Sequence, residues 1–245
     1  MLKKRVIPVI FLMDGKIVRS EKFNKFKIMG DPYQELARFD EWSADEVVYL
    51  DISRVDDGSA MKLLDKIASN AYMPLTFGGN ITSVDQAVSI IRGGADKVVV
   101  NTAAYENPVL IGELALKLGS QAITVSIDYA QNAIWTHHGT KRRSIGICEW
   151  ARIVEARGAG EILLNSIERD GTGRGYDLNV VATVAESVGI PVIACGGVGR
   201  FEHFVAGFEA GAHAVAAGNI FHFTENAYPR AKKYLHDKGV PVRCV

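Results

Sequence analysis

An internal repeat is the sequence feature that most constrains the fold of this chain. Thirty residues from Pro74 (PLTFGGNITSVDQAVSIIRGGADKVVVNTA) align without a gap on thirty from Pro191 (PVIACGGVGRFEHFVAGFEAGAHAVAAGNI), at an offset of 191 − 74 = 117. A second match pairs EVVYLDISR, from Glu46, with EILLNSIER, from Glu161, at an offset of 161 − 46 = 115. Matches of this length predict that the two halves of the chain contain the same series of structural elements.

Each half consists of short apolar runs that alternate with amphipathic segments. Continuous Val, Ile and Leu runs are typical of parallel strands covered on both faces, and the segments between them have helical spacing. The predicted strands are Val6–Phe11, Glu46–Ile52, Met73–Phe77, Lys97–Val100, Ala122–Ile127, Glu161–Asn165, Pro191–Ala194 and Ala214–Ala217. The predicted helices include Asp31–Trp42, Ala60–Ser69, Ser83–Arg92, Pro108–Leu118, Glu149–Arg157 and Val180–Ser187.

Eight strands, each followed by a helical segment, fit a closed parallel barrel. The chain has 245 residues, 48% of them hydrophobic, which suits one large domain of this kind. An open doubly wound sheet is the main alternative, but four units in each of two equivalent halves favour a closed structure. We therefore predict a single (β/α)8 barrel, or TIM barrel, over residues 1–245, with half-barrels at approximately 1–118 and 119–245.

Composition restricts the classes of partner and cofactor. Lys plus Arg and Asp plus Glu number 28 each, so neither nucleic acid nor a membrane surface is the expected partner. Cys148, Cys195 and Cys244 have no paired spacing and no adjacent His cluster, which indicates reduced thiols in a cytoplasmic protein without metal or other cofactor. The apolar run near the start is interrupted by Pro8 and Asp14 and is interpreted as a strand rather than a signal peptide.

Glycine and amide residues follow several of the predicted strands. In such barrels the active site lies at the carboxyl ends of the strands. Glycine lets backbone N–H groups approach an anion closely, and a following helix N-terminus adds its dipole. Two equivalent sites on opposite sides therefore predict a substrate with a phosphate at each end, although the glycines alone could merely permit tight turns. The residues are Gly79, Asn80, Asn101 and Thr102 in one half, and Gly196, Gly197, Gly218 and Asn219 in the other, with Asp170 and Gly171 as further substrate-binding candidates after the sixth strand.

Two acids occupy the same end of the predicted barrel. Asp128 ends the fifth strand, and Asp170 lies beside Gly171 after the sixth. Partial desolvation raises the pKa of a carboxyl group toward neutrality, so Asp128 is a candidate general acid or base and Asp170 a second one. The other interpretations are a helix cap or loop acid for Asp128 and a turn-shaping role for Asp170.

Over almost its whole length the sequence resembles the cyclase subunit of imidazole glycerol phosphate synthase, a glutamine amidotransferase of histidine biosynthesis. The segments ADEVVYLDI, GADKVVVNTAA, GSQAITVSID, GAGEILLNSIERDGTG and IACGGVG carry the likeness. The resemblance implies that ammonia reacts with a bis-phosphorylated ribulosyl aminoimidazole carboxamide substrate. It also implies a glutaminase subunit that docks at the N-terminal face of the barrel and supplies ammonia through the barrel core.

The resemblance assigns further residues to this ammonia path. Arg5, Glu46, Lys97 and Glu161 match a ring of four charges that forms the ammonia gate, and each lies at the start of a strand. Taken singly they are ordinary solvated charges, but two acids and two bases neutralise one another and become buriable when paired. Asp96 matches an acid that contacts the glutaminase, and Arg19, in the long loop after the first strand, matches a basic residue over the substrate.

One position departs from the family pattern. The family closes the imidazole ring with two aspartates, at the ends of the first and fifth strands, and Asp128 matches the second. The place of the first is taken by Phe11, and the repeat agrees because 128 − 117 = 11. Phenylalanine cannot transfer a proton, and losing a positioned acid or base costs a factor of about 10²–10⁴ in rate. Asn80, at the third glycine of a usual GGG, is a weaker departure.

Three functions remain open at this point. Phe11 favours a divergent paralogue that keeps the glutaminase and the ammonia path but passes ammonia to a separate amidotransferase. The known paralogues of this type serve the amidination of an acetamido sugar nucleotide for surface polysaccharide such as lipopolysaccharide. The alternative is a functional cyclase that makes imidazole glycerol phosphate and the carboxamide ribonucleotide. A non-catalytic scaffold barrel is the third possibility, which the four gate charges disfavour.

Overall fold

The computed structural model describes residues 3–54, 59–69 and 71–243. Within these ranges helices alternate with strands along the chain. The strands are β1 (Arg5–Met13), β2 (Lys16–Glu21), β3 (Lys25–Gly30), β4 (Val47–Asp51), β5 (Leu75–Gly78), β6 (Lys97–Val100), β7 (Ile123–Ala130), β8 (Ala133–Thr136), β9 (Lys141–Arg142), β10 (Glu161–Ser166), β11 (Val192–Cys195) and β12 (Ala214–Ala217). The helices are α1 (Pro32–Glu41), α2 (Ser59–Ala68), α3 (Val84–Arg92), α4 (Thr102–Glu106), α5 (Val109–Leu118), α6 (Ile147–Ala156), α7 (Leu178–Ser187), α8 (Glu202–Glu209), α9 (Asn219–Phe223) and α10 (Ala227–Asp237).

Eight of these strands close a parallel barrel. The order around the barrel is β1, β4, β5, β6, β7, β10, β11 and β12, and β12 pairs with β1 to complete the circle. Strands β5 and β11 therefore lie opposite each other, as do β1 and β7. The predicted (β/α)8 TIM barrel is confirmed.

Alternate residues of each barrel strand face the interior. Along β7, Ile123, Val125 and Ile127 belong to the core between barrel and helices, so the intervening side chains point into the barrel. A second apolar cluster fills the interior, with Phe11 and Leu50 packed against its upper end. Its members are Ile7, Val9, Val48, Val99, Leu163, Ile193, Cys195, Ala214 and Ala216.

Two β-hairpins extend the first strand of each half, and they were not predicted. Strands β2 and β3 form an antiparallel hairpin after β1, and β8 and β9 follow β7 in the same way. The placement of Arg19 in a long loop was therefore wrong, because Arg19 lies within β2. The turn between β1 and β2 has positive φ at both Asp14 (51°) and Gly15 (71°), a geometry that matches the twist of hairpin strands.

The hairpins follow the same offset as the sequence repeat. Phe11 of β1 pairs with Val18 of β2, and Asp128 of β7 pairs with Trp135 of β8. Equivalent members of the two pairs are 117 positions apart, since 128 − 11 = 117 and 135 − 18 = 117. Phe11 and Asp128 therefore occupy equivalent places in the two halves.

Element boundaries deviate from the predicted ones by a few residues. Glu46 and Met73, predicted as first strand residues, lie just before β4 and β5, while β1 and β7 continue beyond their predicted ends into the hairpins. Among the residues that the structure describes, no helix is long and apolar enough to cross a bilayer. Cys244 lies outside the described residues.

Candidate active site

Asp128 lies at the mouth of the barrel, 8% exposed. Its carboxylate accepts hydrogen bonds from Ser126 Oγ at 2.9 Å and from Asn101 Nδ2 at 2.6 Å. Burial raises the pKa of Asp128 to about 7, against the opposing effect of hydrogen bonds from Ser126, Asn165 and Asn101. A carboxyl group with this pKa can accept or donate a proton near neutral pH, as general acid–base catalysis requires.

Asp170 is also buried, but its oxygen atoms accept hydrogen bonds from the β2–β3 hairpin. Ser20 Oγ donates to Asp170 Oδ2 at 2.6 Å, and the backbone N–H of Lys22 donates to the Asp170 carbonyl at 3.1 Å. Burial raises the pKa of Asp170, while the hydrogen bonds from Ser20 and the hairpin backbone lower it. Asp170 therefore holds the hairpin over the mouth. Most of its hydrogen bonds go to the hairpin and not to its own turn.

Phe11 contributes an apolar ring where the other half has Asp128. The ring is half-buried and meets the ring of Phe23 edge-on, with centroids 6.4 Å apart. Phe23 lies in the turn between β2 and β3 and also approaches Gly139, in the turn between β8 and β9. The two hairpins thus meet above the mouth, with Phe11 beneath the tip of the first.

One predicted phosphate half-site lies at the ends of β11 and β12. A cleft there is lined by Phe11, Asp170 and a set of small or amide residues: Gly171, Gly196, Gly197, Gly218 and Asn219. Positive φ values of 95° and 101° explain glycine at 196 and 197. Asn219 Nδ2 lies 3.4 Å from the Ser20 carbonyl, so the hairpin also contacts this half-site.

The opposite half-site, at the ends of β5 and β6, differs in detail. Gly79, with φ of 119°, and Asn80 line a pocket there, and Asn80 Nδ2 donates to the Ser53 carbonyl at 2.9 Å. Asn80 also has positive φ (52°), a conformation that asparagine tolerates better than most residues. Because Asp51 and Asp85 line the same pocket, this half-site suits an anion less well than the one at β11 and β12.

Asn101 and Thr102 use their side chains within the protein. Asn101 donates to Asp128, and Thr102 Oγ1 accepts from the backbone N–H of His137 at 2.9 Å. Both residues stand at the start of the short helix α4, beside the predicted half-site. Their phosphate-binding roles, like those of the glycines, stay predictions.

At the other end of the barrel, Arg5, Glu46, Lys97 and Glu161 form a closed charged ring. Arg5 binds both acids through its two terminal nitrogens, and Lys97 Nζ also contacts both, lying 3.1 Å from Glu46 Oε2. The acid side chains are only 2% and 8% exposed. Burial alone raises the pKa of Glu161, but the contacts with Arg5 and Lys97 hold it below its usual value.

Asp96 and Arg19 lie at opposite ends of the barrel. Asp96, exposed beside the charged ring, accepts the Leu75 N–H at 2.8 Å through one carboxylate oxygen, which leaves the other directed to solvent or a partner. Arg19, on the hairpin, stacks over the Phe223 ring at 5.4 Å and lies 3.7 Å from Glu21. Their roles toward a glutaminase and a substrate stay predictions.

Three residues of the mouth were not predicted from the sequence: Ser20, Ser126 and Asn165. Ser126 lies two residues before Asp128 on β7, and Asn165 lies across from Asp128 on β10. Strand periodicity together with the match at an offset of 115 could therefore have predicted both. Ser20 carried no comparable signal, because its contact with Asp170 spans 150 positions of the chain. Within the described ranges no group of three or more His, Cys, Asp or Glu is arranged to hold a metal ion.

Comparison with known proteins identifies the family. The family described as "Histidine biosynthesis protein" matches residues 5–227. The chain is 43% identical to "Imidazole glycerol phosphate synthase subunit HisF" of Thermococcus gammatolerans, with 99% of each chain covered. It is 42% identical to the protein of the same name from Thermococcus onnurineus, again with 99% of each covered. The chain therefore belongs to the histidine biosynthesis protein family and is a HisF-like member of it.

Proposed function

We propose that this chain is a cyclase-type subunit that receives ammonia from a glutaminase partner and uses it at the mouth of the barrel. One observation carries the proposal: the same barrel has a closed charged ring at its N-terminal end and Asp128, whose pKa is about 7, at its C-terminal end. The relatives are named as subunits of a synthase, which supports a partner protein.

The charged ring supports docking of the glutaminase at the N-terminal face. Its four side chains neutralise one another, so a small neutral molecule meets no net charge there. Arg5 and Lys97 keep 27% and 17% of their side chains exposed on that face. Asp96 beside them supplies an exposed carboxylate for contact with the partner.

At the mouth, Asp128 moves the proton and the glycine turns hold the substrate. Ser126 and Asn101 fix the Asp128 carboxylate, so its oxygens keep one orientation. The cleft at β11 and β12 offers backbone N–H groups and the Asn219 amide for one phosphate of a bis-phosphorylated acceptor. Arg19 on the hairpin above brings a positive charge to the same side.

The first candidate for the reaction is closure of an imidazole ring, giving imidazole glycerol phosphate and the carboxamide ribonucleotide. The names of the relatives and the near-complete coverage of both chains favour this reaction over the paralogue role expected from Phe11. With Phe11 in place of the acid on β1, Asp128 is then the principal acid and base of the site.

The second candidate is transfer of ammonia to a third protein that amidinates an acetamido sugar nucleotide. Phe11 is the specific observation that favours it, because the ring removes one acid and packs under the hairpin tip against Phe23. In this case the barrel serves as the ammonia path and the mouth as the docking side for the amidotransferase.

Turnover with ammonium chloride tests the proposal and separates the candidates. The purified chain is given the ribulosyl aminoimidazole carboxamide substrate, and imidazole glycerol phosphate is measured for the wild type, Phe11→Asp and the matched control Phe11→Leu. If the site needs an acid at position 11, as the second candidate requires, Phe11→Asp should exceed both the wild type and Phe11→Leu by about 10²–10⁴-fold, because it restores a positioned acid.

Wild-type turnover within about tenfold of Phe11→Asp supports the first candidate and contradicts the second. Product from Phe11→Asp alone supports the second candidate. If neither protein makes product while both bind the substrate, the cyclase-type site is refuted.

A further inference from the structure

Two buried oxygen atoms inside the barrel have no hydrogen-bond partner. They are Thr124 Oγ1 and Asn165 Oδ1, and both residues are only 2% exposed. The other such atoms among the described side chains are nitrogens of Arg38 and His222, outside the barrel. Burying a polar atom without a partner is unfavourable, so each oxygen is available to accept a hydrogen bond from a water molecule or a small ligand.

Both oxygens lie along one seam of the barrel wall, the boundary between the paired strands β7 and β10. In the register of β7 and β10, Thr124 lies opposite Glu161 of the charged ring, and Asp128 lies opposite Asn165. Ser126 stands between them on β7, on the same face, and donates to Asp128. On β7, polar side chains therefore run from the charged ring to Asp128 along this seam, while on β10 the apolar Leu163 lies between Glu161 and Asn165.

Asn165 divides its two functional atoms between Asp128 and the barrel interior. Its amide group donates to the Asp128 carboxylate and lowers the pKa of that group. Its Oδ1 remains free as an acceptor at the same level. A Cβ at Gly196 would stand 3.3 Å from this oxygen, so glycine at that position keeps the space beside it open.

We propose that Asn165 is the residue that positions ammonia beside Asp128, at the upper end of a polar seam formed by Thr124, Ser126 and Asn165. The proposal rests on the proposed function, in which the barrel receives ammonia. Ammonia has N–H groups to donate and one lone pair that must stay free to attack. Contacts with acceptor oxygens alone meet both requirements.

The ionised Asp128 carboxylate completes this site for ammonium. Ammonium binds beside the ionised carboxylate. When the nitrogen attacks an acceptor, one N–H bond breaks and the proton forms an O–H bond with Asp128, so that the nitrogen lone pair becomes free on Asn165 Oδ1. A positive ligand beside a carboxylate favours the ionised form, so ammonium binding must lower the pKa of Asp128. This linkage gives a readout that needs no acceptor substrate.

The test is an NMR titration of the Asp128 side-chain carbonyl carbon in 13C-labelled protein. The midpoint is compared in ammonium chloride and in tetramethylammonium chloride at equal ionic strength, because the second cation has no N–H group. For the wild type we expect the midpoint in ammonium to be lower by about one pH unit. Asn165→Leu should abolish the difference between the salts, and Thr124→Val should reduce it.

Thr183→Val is the matched control, since it removes an exposed helix hydroxyl that bonds only to the Asn179 carbonyl. It should keep the full difference. If Asn165→Leu does not fold, Asn165→Ala takes its place, because it adds no bulk. It should likewise abolish the difference between the salts. Equal wild-type midpoints in the two salts would mean that these oxygens bind only water, and this result would overturn the assignment. A difference that survives in both Asn165 variants would overturn it as well.

These outcomes are independent of the cyclase assay. Turnover without an ammonium-specific midpoint refutes the role of Asn165 and leaves the proposed function standing. An ammonium-specific midpoint without turnover supports Asn165 and refutes the cyclase chemistry alone.

Discussion

Positions 11 and 128 show how one barrel mouth gives equivalent residues different tasks. Asp128 is held by Ser126 and Asn101, and burial raises its pKa to about 7. Phe11 has the same backbone environment but packs against Phe23 of the hairpin tip. The residue difference therefore gives one of two equivalent places a buried carboxyl group and the other an apolar ring that packs against the hairpin.

Replacing Asp128 should change how stability depends on pH. A carboxyl group with a raised pKa in the folded state favours folding while protonated, and this contribution is lost as pH rises from about 4 through about 7. Relative to Asp128→Asn, the wild type should therefore lose up to about 4 kcal/mol of unfolding free energy between pH 4 and pH 8. Urea denaturation across this range measures the difference.

Asp237→Asn, which changes an exposed acid at the end of α10, is the control and should stay within about 0.5 kcal/mol at every pH. A constant difference between wild type and Asp128→Asn across the range would contradict the raised pKa.

The β2–β3 hairpin is the element that sequence reasoning could not place. Its far turn puts Lys22 and Phe23 both at φ of 54°, positions where such turns usually carry glycine or asparagine, and the asparagine of this turn, Asn24, comes one place later. The turn is held by contacts with Asp170, far along the chain, which no local pattern reveals. The Asp14–Gly15 turn did carry a hairpin signal, and the polar composition of β2 and β3 obscured it.

The barrel strands were predictable for the opposite reason. Parallel strands buried on both faces need continuous apolar runs, and runs such as Lys97–Val100 and Ala214–Ala217 have the predicted bounds in the structure. The position of Asp128 followed from the end of such a run. Its hydrogen bonds depend on which strands are neighbours, and only barrel closure decides that.

Removing the hydroxyl of Ser20 should loosen the hairpin from the barrel. Ser20→Ala deletes the 2.6 Å hydrogen bond and leaves a buried Asp170 oxygen less satisfied, at a cost of about 1–3 kcal/mol. We expect faster hydrogen exchange in residues 16–30 and faster tryptic cleavage after Lys22 and Lys25. Ser89→Ala, which removes an exposed helix hydroxyl, is the control and should leave both rates unchanged. Unaltered hairpin exchange in Ser20→Ala would show that Phe11 and Phe23 hold the hairpin without Asp170.

For the whole molecule, the charged ring ties four strands together at the base of the barrel. Arg5 on β1 and Lys97 on β6 each contact the acids before β4 and on β10, so the ring spans both halves. Since β1 and β10 are far apart in sequence, the ring can form only when the barrel is closed. Its contribution therefore belongs to the closed barrel and to no smaller unit.

Glu161→Gln should lower the unfolding free energy by about 1–3 kcal/mol, because two cations then share one acid in a buried setting. Urea denaturation at pH 7 measures the loss. Glu106→Gln removes an acid that is 46% exposed and pairs with Arg143, and it should leave the unfolding free energy nearly unchanged, because solvent screens a surface ion pair. Equal effects of the two substitutions would show that the ring contributes no more than a surface ion pair.

The common register of the two hairpins bears on the ancestry of the molecule. An offset of 117 that holds in β1 and β2, in β7 and β8, and in the glycine turns after β5 and β11 implies descent from a duplicated gene segment that already encoded all of these features. The divergence at positions 11 and 128 came after that duplication. The two halves keep this backbone frame although position 11 carries an apolar ring and position 128 a carboxyl group, so a duplicated half can change its chemistry at one position and retain its fold.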